Sequence, residues 1–199
     1  MKRHLLQVGS FEVNCSLLAF GDEAWIVDPG AEGERIAELL GKLALRPQLI
    51  LLTHAHFDHI GAVNDLQRRF PGLPVYVHPE DAKLITHPLN AYPPDYPPVT
   101  MPSDVRDCRT LQAPGFRAIE TPGHTPGGCS YYFADDKLLL SGDTLFAGSA
   151  GRTDLPGGDM GLLSRSLELL ATLDEDITVV PGHGPSTTIG EEKRHNPFL

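Results

Sequence analysis

The sequence predicts a layered α/β or α+β domain, and three observations carry that expectation. The chain has 199 residues, a length that suits one compact domain with a sizeable core. Short apolar runs that read as buried strands alternate with stretches of helical spacing in both halves. Gly and Pro punctuation closes many of those runs. A single domain over residues 1–199 is expected, because no repeat, low-complexity tract or interdomain linker breaks the pattern.

Taken in order, Asn14 to Phe20 is a mostly apolar run, and Ala24 to Val27 follows the Gly21-Asp22 turn signal. Asp28-Pro29-Gly30 ends that strand. Within Glu34 to Leu43, apolar residues at Ile36, Leu39, Leu40 and Leu43 have helical spacing, and Arg46-Pro47 closes the helix. Leu49 to Leu52 is continuous and apolar, as a buried strand is, and it runs straight into Thr53-His54-Ala55-His56-Phe57-Asp58-His59. Ile60 to Phe70 reads as a helix, Val75 to Val77 as a strand and Pro79 to Ile85 as a helix. Residues 87–102 are proline-rich and hold Tyr92 and Tyr96. A loop of this length suits a functional lid or a rigid spacer equally well. Strands are expected again at Phe116 to Glu120, Ser130 to Phe133 and Lys137 to Leu140. Leu162 to Leu173 is expected as a helix and Ile177 to Val180 as a last buried strand.

Composition excludes several classes. Hydrophobic residues make up 41% and charged residues 21%, ordinary values for a globular chain and far from disorder. No apolar run approaches the ~20 residues that cross a bilayer, so no membrane association is expected. Met1-Lys2-Arg3-His4-Leu5-Leu6 lacks a long apolar stretch and a cleavage site, and reads as a cytoplasmic start. Cys15, Cys108 and Cys129 are isolated and form no C-x-x-C, so buried thiols are expected and a thiolate zinc site is not. The formal net charge of −10 argues against a nucleic-acid surface. It leaves room for an anionic small substrate, since two divalent cations make a local positive site within an acidic protein. A monomer or small homo-oligomer is expected.

The unusual feature is histidine. There are nine, and most stand in short ordered clusters. In His54-x-His56-x-Asp58-His59, the histidines at i and i+2 on a strand-end loop project to the same side, which suits a borderline metal such as zinc. Asp58 and His59 follow closely enough to face a second ion. With nine His and fifteen Asp in the chain, random placement would produce this pattern with a probability on the order of one in a thousand. Three further strand ends deliver a donor through a glycine turn: His124 in Thr121-Pro122-Gly123-His124, Asp143 in Ser141-Gly142-Asp143 and His183 in Pro181-Gly182-His183. Five His and two Asp at four strand ends have no common structural cause. His4, His78, His87 and His195 stand outside these clusters and read as structural. Asp28 fits equally a residue that orients a ligand and a turn residue.

Together the four motifs resemble the metallo-β-lactamase-fold hydrolases over nearly the whole chain, and within them the short, single-domain glyoxalase II-like (hydroxyacylglutathione hydrolase-like) proteins. The stretches that carry the resemblance are Thr53–His59, Gly123–Gly128, Gly142–Phe146, Gly148–Asp154 and Gly182–Phe198. The resemblance implies an α+β fold, a four-layered αββα sandwich. It implies two divalent ions, zinc first, with iron or manganese as other occupants. His54, His56 and His124 would hold one, Asp58, His59 and His183 the other, and Asp143 would bridge them. The implied reaction is hydrolysis of an S-D-lactoylglutathione-type thioester by a metal-bridging hydroxide. Asp58 is the residue best placed to orient that nucleophile.

Substrate readings are looser. In two-domain glyoxalase II enzymes the stretch matching Gly148–Asp154 carries a basic residue that contacts glutathione. Arg152 would serve so here, as a carboxylate fork, or else pair with Asp154 to hold its loop. The two-domain enzymes also have a helical C-terminal domain. Here sixteen residues follow His183, room for a short helix and a tail. Recognition of a glutathione-derived thioester would then fall to the core loops, with residues 87–102 among them. Alternatives on the same fold are a mononuclear-iron persulfide dioxygenase and a lactonase, β-lactamase or other ester hydrolase. A purely structural metal-binding protein fits poorly, because structural zinc sites are closed four-coordinate cages, often with Cys.

Overall fold

Leu6 and Val8 are buried while their neighbours Leu5 and Gln7 face outward, and this alternation makes Lys2–Val8 a strand, β1, that the sequence reading did not include. Its polar start, Lys2-Arg3-His4, hides the pattern. β1 pairs antiparallel with β2 (Val13–Phe20), which pairs antiparallel with β3 (Glu23–Val27). From β3 onward the chain uses crossovers, α1 (Gly33–Lys42) leading to β4 (Arg46–Leu51). Next come α2 (Phe57–Ile60), α3 (Val63–Arg69), β5 (Val75–Val77), α4 (Pro79–Ala82) and β6 (Val105–Asp107). β3, β4, β5 and β6 run parallel, which completes a six-stranded mixed sheet in the order β1-β2-β3-β4-β5-β6. The computed structural model describes residues 1–199, and these elements make up the first of two compact units, Met1–Cys108.

The core of this unit follows from the pattern. Ile36 and Leu40 of α1 and Val63 and Leu66 of α3 are buried in one cluster with Ile26, Ile50, Val75 and Val77 from the strands. Each such side chain stabilises the fold by about 1.5–3 kcal/mol relative to exposure. The single helix expected over Ile60–Phe70 is two helices separated at Gly61-Ala62. Gly61 lies against the Gly30 carbonyl so closely that a Cβ would stand 2.2 Å from that oxygen, and the next residue, Ala62, gives its N–H to the Pro29 carbonyl at 3.0 Å instead of to a helical one. Helix also begins earlier than expected, at Phe57, so Asp58 and His59 stand on a helical turn. Arg46-Pro47 begins β4 instead of only closing α1, because Arg46 N–H bonds to the Asp22 carbonyl at 2.8 Å. α4 ends at Ala82, three residues short of expectation, and continues as turns. β6 escaped notice because its sole apolar residue is Val105.

The second unit, Arg109–Leu199, is built on a five-stranded sheet. Its elements are β7 (Phe116–Glu120), β8 (Cys129–Phe133), β9 (Leu138–Gly142), the small hairpin β10 (Leu145–Phe146) and β11 (Ser149–Ala150), α5 (Met160–Leu170), β12 (Thr178–Pro181), β13 (Thr187–Thr188) and α6 (Ile189–His195). The sheet order is β13-β12-β9-β8-β7, antiparallel except for the β9–β12 pair. α5 starts two residues before the expected Leu162, because the Asp159 side chain accepts the Leu162 N–H at 2.9 Å and caps it. Its Leu163, Leu167 and Leu170 pack with Leu139 and Val179. α6 is the short helix for which the tail had room; Thr188 caps it, with Glu191 and Glu192 in the first turn and Lys193, Arg194 and His195 in the last. No helix is long and apolar enough to cross a membrane.

Candidate metal centre

In the first unit the donors follow β4. Asp28, at the end of β3, organises them: its Oδ1 accepts the Thr53 N–H at 2.8 Å and its Oδ2 accepts the Thr53 hydroxyl at 2.6 Å. The same Oδ2 lies 3.1 Å from Nδ1 of His59. Since the Thr53 hydrogen goes to Asp28, the Thr53 oxygen accepts from His54 Nδ1 at 3.1 Å. Nδ1 of His54 therefore carries the hydrogen, and its Nε2 presents a lone pair, as a metal-ligating imidazole must. The rings converge, with centroids 4.9 Å apart for His54 and His56 and 4.0 Å for His54 and His59. Asp58 Oδ2 lies 4.0 Å from His59 Nε2. Asp28 sits at φ 49°, and Gly30 presses against the Asp58 backbone, where a Cβ would stand 1.7 Å from the carbonyl oxygen. Only glycine fits that approach.

In the second unit three strand ends meet. The parallel pairing of β9 and β12 extends one step, with Gly182 N–H donating to Gly142 O at 2.8 Å. The next residue on each strand, Asp143 and His183, therefore comes out side by side. Asp143 Oδ2 lies 3.5 Å from His124 Nε2 and 3.6 Å from His183 Nε2. His124 follows β7 on the Thr121–Gly128 turn, and its Nδ1 donates to the Arg152 carbonyl at 2.8 Å. A carbonyl can only accept, so this histidine too presents Nε2 as a lone pair.

The donor set suits a divalent ion. Two ligand atoms at about 2.0–2.2 Å from one tetrahedral ion stand roughly 3.3–3.6 Å apart, which is the spacing around Asp143 Oδ2. In the first unit His54, His56, Asp58 and His59, and in the second His124, Asp143 and His183, are donors of the types that hold a divalent ion. His54, Asp58, His59 and His124 are buried, whereas His56, Asp143 and His183 are partly exposed and leave the donors reachable.

The Arg152 guanidinium binds Asp154 through Nε at 2.6 Å and Nη2 at 2.7 Å. His78 caps α4 by accepting the Glu80 N–H, and His87 accepts the Leu89 N–H. His195 is exposed near Glu191 and His4 is partly buried. All three cysteines are buried and free. Sequence reasoning passed over Asp81 and Asn90, which hold the backbone of the His54–His59 loop, and Glu192 and Asn196. Glu192 accepts the Gly148 N–H at 2.8 Å and Asn196 donates to Ser149 O at 2.9 Å, so α6 anchors the β10–β11 hairpin. Nothing in the sequence marks these four, since each is a common polar residue whose burial only the fold reveals.

The comparisons agree with this geometry. Residues 8–183 match the family model of the metallo-beta-lactamase superfamily. A Haemophilus influenzae protein named hydroxyacylglutathione hydrolase GloC is 36% identical, over 100% of this chain and 98% of its own. The crystal structure of the BLEG-1 B3 metallo-beta-lactamase superposes with a TM-score of 0.91 at 38% identity, covering 100% of this chain and 99% of its own. That of TTHA1623 in a di-iron-bound form also gives 0.91, at 41% identity over 98% and 100%. The α+β class expected from the sequence is the class found, and a donor set of this kind on this fold binds divalent metal ions. The chain belongs to the metallo-beta-lactamase superfamily and is a metallo-hydrolase of that family.

Proposed function

We propose that the protein is a binuclear thioester hydrolase acting on S-D-lactoylglutathione-type substrates. The observation that carries the binuclear reading is Asp143, whose Oδ2 stands almost equally far from His124 and His183. A carboxylate so placed suits a ligand shared by two ions. His54, His56 and His124 would hold one ion and Asp58, His59 and His183 the other. Zinc is the first expectation for both. The di-iron form of a relative at 41% identity makes iron the principal competitor.

When bound, the two ions supply a water activated near neutral pH and polarise the scissile carbonyl. The chain's own groups do the rest. The buried carboxylate of Asp58 orients the attacking water and can take its proton. Asp28 lies against His59, and Thr53 and the Arg152 carbonyl fix the tautomers of His54 and His124. A thiolate leaves without a strong general acid, and the donor set offers none. Asp154 takes the Nε–Nη2 edge of the Arg152 guanidinium, so a substrate carboxylate would be met by the hydrogens left on Nη1 and Nη2. The relative named hydroxyacylglutathione hydrolase supports the thioester substrate.

A second reading is hydrolysis of a β-lactam, favoured by the BLEG-1 likeness at 38% identity. The test is a paired assay on purified protein of known metal content. Turnover of S-D-lactoylglutathione with about two metals per chain is expected. Absence of that turnover, together with hydrolysis of a β-lactam or with oxygen uptake on glutathione persulfide and a single iron, would overturn the proposal.

A further inference from the structure

The His54–His59 loop leaves the sheet at Leu51, so no strand ladder holds the backbone at His56. Side chains hold it instead. Asp81, fully buried, accepts the Ala55 N–H at 2.9 Å. Asn90, 7% exposed, reaches both sides of His56. Its Nδ2 donates to the Ala55 carbonyl at 2.7 Å, and its Oδ1 accepts the Phe57 N–H at 2.9 Å. The second Nδ2 hydrogen goes to the Leu84 carbonyl at 2.9 Å. These partners fix the orientation of the amide: reversed, its NH2 would face an N–H and its oxygen would face two carbonyls.

Asn90 belongs to the proline-rich segment that suits a lid or a spacer from sequence alone. The rest of that segment is also fastened to the loop. Tyr92 and Tyr96 bond to each other through both backbone directions, at 2.7 and 2.9 Å. The Phe57 ring stacks on Tyr92 at 5.9 Å and lies 5.2 Å from Tyr96, with Phe11 5.6 Å away on an edge. Phe57 stands between His56 and Asp58 in the chain, so the segment grips the one residue that separates two proposed ligands.

We propose that Asn90 is a positioning residue for His56: its amide brackets the peptide groups on either side of that histidine and holds the ring where a metal ion can take it. The segment is then a fixed strap and not a lid. This rests on the reading of His56 as a ligand. An imidazole delivered by an unbraced loop would have to be ordered at the moment of metal binding, and partners of this kind typically contribute 10–100-fold in metal affinity.

The test uses the full chain. Zn2+ and Co2+ affinities are measured by competition with a chromophoric chelator for wild type, His56→Ala, Asn90→Ala and Asn90→Asp, with the visible spectrum of the Co2+ forms. The Asn90→Asp change keeps the acceptor for Phe57 N–H but sets a carboxylate against two carbonyls. Both Asn90 variants are expected to bind metal about 10–100-fold more weakly and to show an altered Co2+ spectrum. A merely structural role would lower the Tm in chelator and leave the affinity of the folded protein unchanged. If His56→Ala binds metal as wild type does, the ligand reading fails. If His56→Ala loses a metal while both Asn90 variants stay within twofold of wild type, the positioning proposal is overturned. Should the variants not fold, hydrogen exchange on the metal-free wild type decides: a protected Phe57 amide is expected, and exchange at the rate of an open loop overturns the bracket.

Discussion

The Asp28 carboxylate lies 3.1 Å from Nδ1 of His59, and the same oxygen accepts the Thr53 hydroxyl at 2.6 Å. One buried carboxylate thus lies against His59 and sets the tautomer of His54 through Thr53. Asp28→Ala is expected to leave the buried Thr53 N–H without its acceptor, at a cost of about 1–3 kcal/mol. Metal affinity should fall about 10–100-fold. Asp28→Asn separates the two effects. Its oxygen can keep the Thr53 N–H, but its NH2 meets the Thr53 hydroxyl, whose hydrogen then loses its acceptor. The Tm in chelator should change less than in Asp28→Ala while metal affinity falls as far. Equal affinity for the Asp28→Asn variant and wild-type protein in a chelator competition would sink the idea.

Arg152 and Asp154 form an exposed bidentate pair beside His124. The hydrogen bond from Arg152 holds the Asp154 carboxyl down at about 2, below its ordinary 3.8. A depressed carboxylate contributes stability that is present above the ordinary value and lost as pH falls through the lowered one. The Tm difference between wild type and Asp154→Asn, both in chelator, should be small and flat from pH 5 to 8 and should shrink between roughly pH 4 and 2. For function, Arg152→Ala is expected to raise KM for a glutathione thioester about two- to fivefold, the scale of one exposed ion pair, with kcat nearly unchanged. An unchanged KM would leave the arginine as a loop clamp only.

The three cysteines are buried, and burial, with a smaller contribution from nearby Asp28, pushes the Cys15 thiol well above its usual range. Only the thiolate reacts with disulfide reagents. The folded protein should therefore react with such a reagent on the time scale of global opening, with three thiols appearing in denaturant. Rapid reaction of one thiol in the native protein would show that its segment opens locally.

The ligands were legible in the sequence for a physical reason: metal donors are rare residue types, and each of the four groups ends an apolar strand with a glycine or a short polar turn. Of the strands that deliver them, β4, β9 and β12 were legible on the same ground, since strands inside a sheet read as continuous apolar runs. β1 and β6 were not, because Lys2-Arg3-His4 in the one and Arg106-Asp107 in the other break the apolar run. At the split of the expected 60–70 helix the Ala62 N–H bonds to the Pro29 carbonyl, a partner far away in sequence that has no local signature. Asn90 escaped for the same reason: it works 33 residues away from the Phe57 N–H it accepts.

Asp143 offers the sharpest test of two ions against one. Its Oδ2 stands 3.5 Å from His124 Nε2 and 3.6 Å from His183 Nε2, so removing it should disturb both proposed sites, whereas removing His183 should disturb one. Wild type is expected to hold about two metals per chain, His183→Ala about one and Asp143→Ala less than one. Asp143 is only partly exposed, so an uncharged residue there is tolerable to the fold, and Asp143→Asn keeps nearly the same volume. Metal analysis after dialysis against a weak chelator, with the Tm of each variant in strong chelator as the folding control, reads the outcome directly. His183→Ala with both metals retained, or Asp143→Ala with metal content equal to that of His183→Ala, would argue that the carboxylate serves one ion alone.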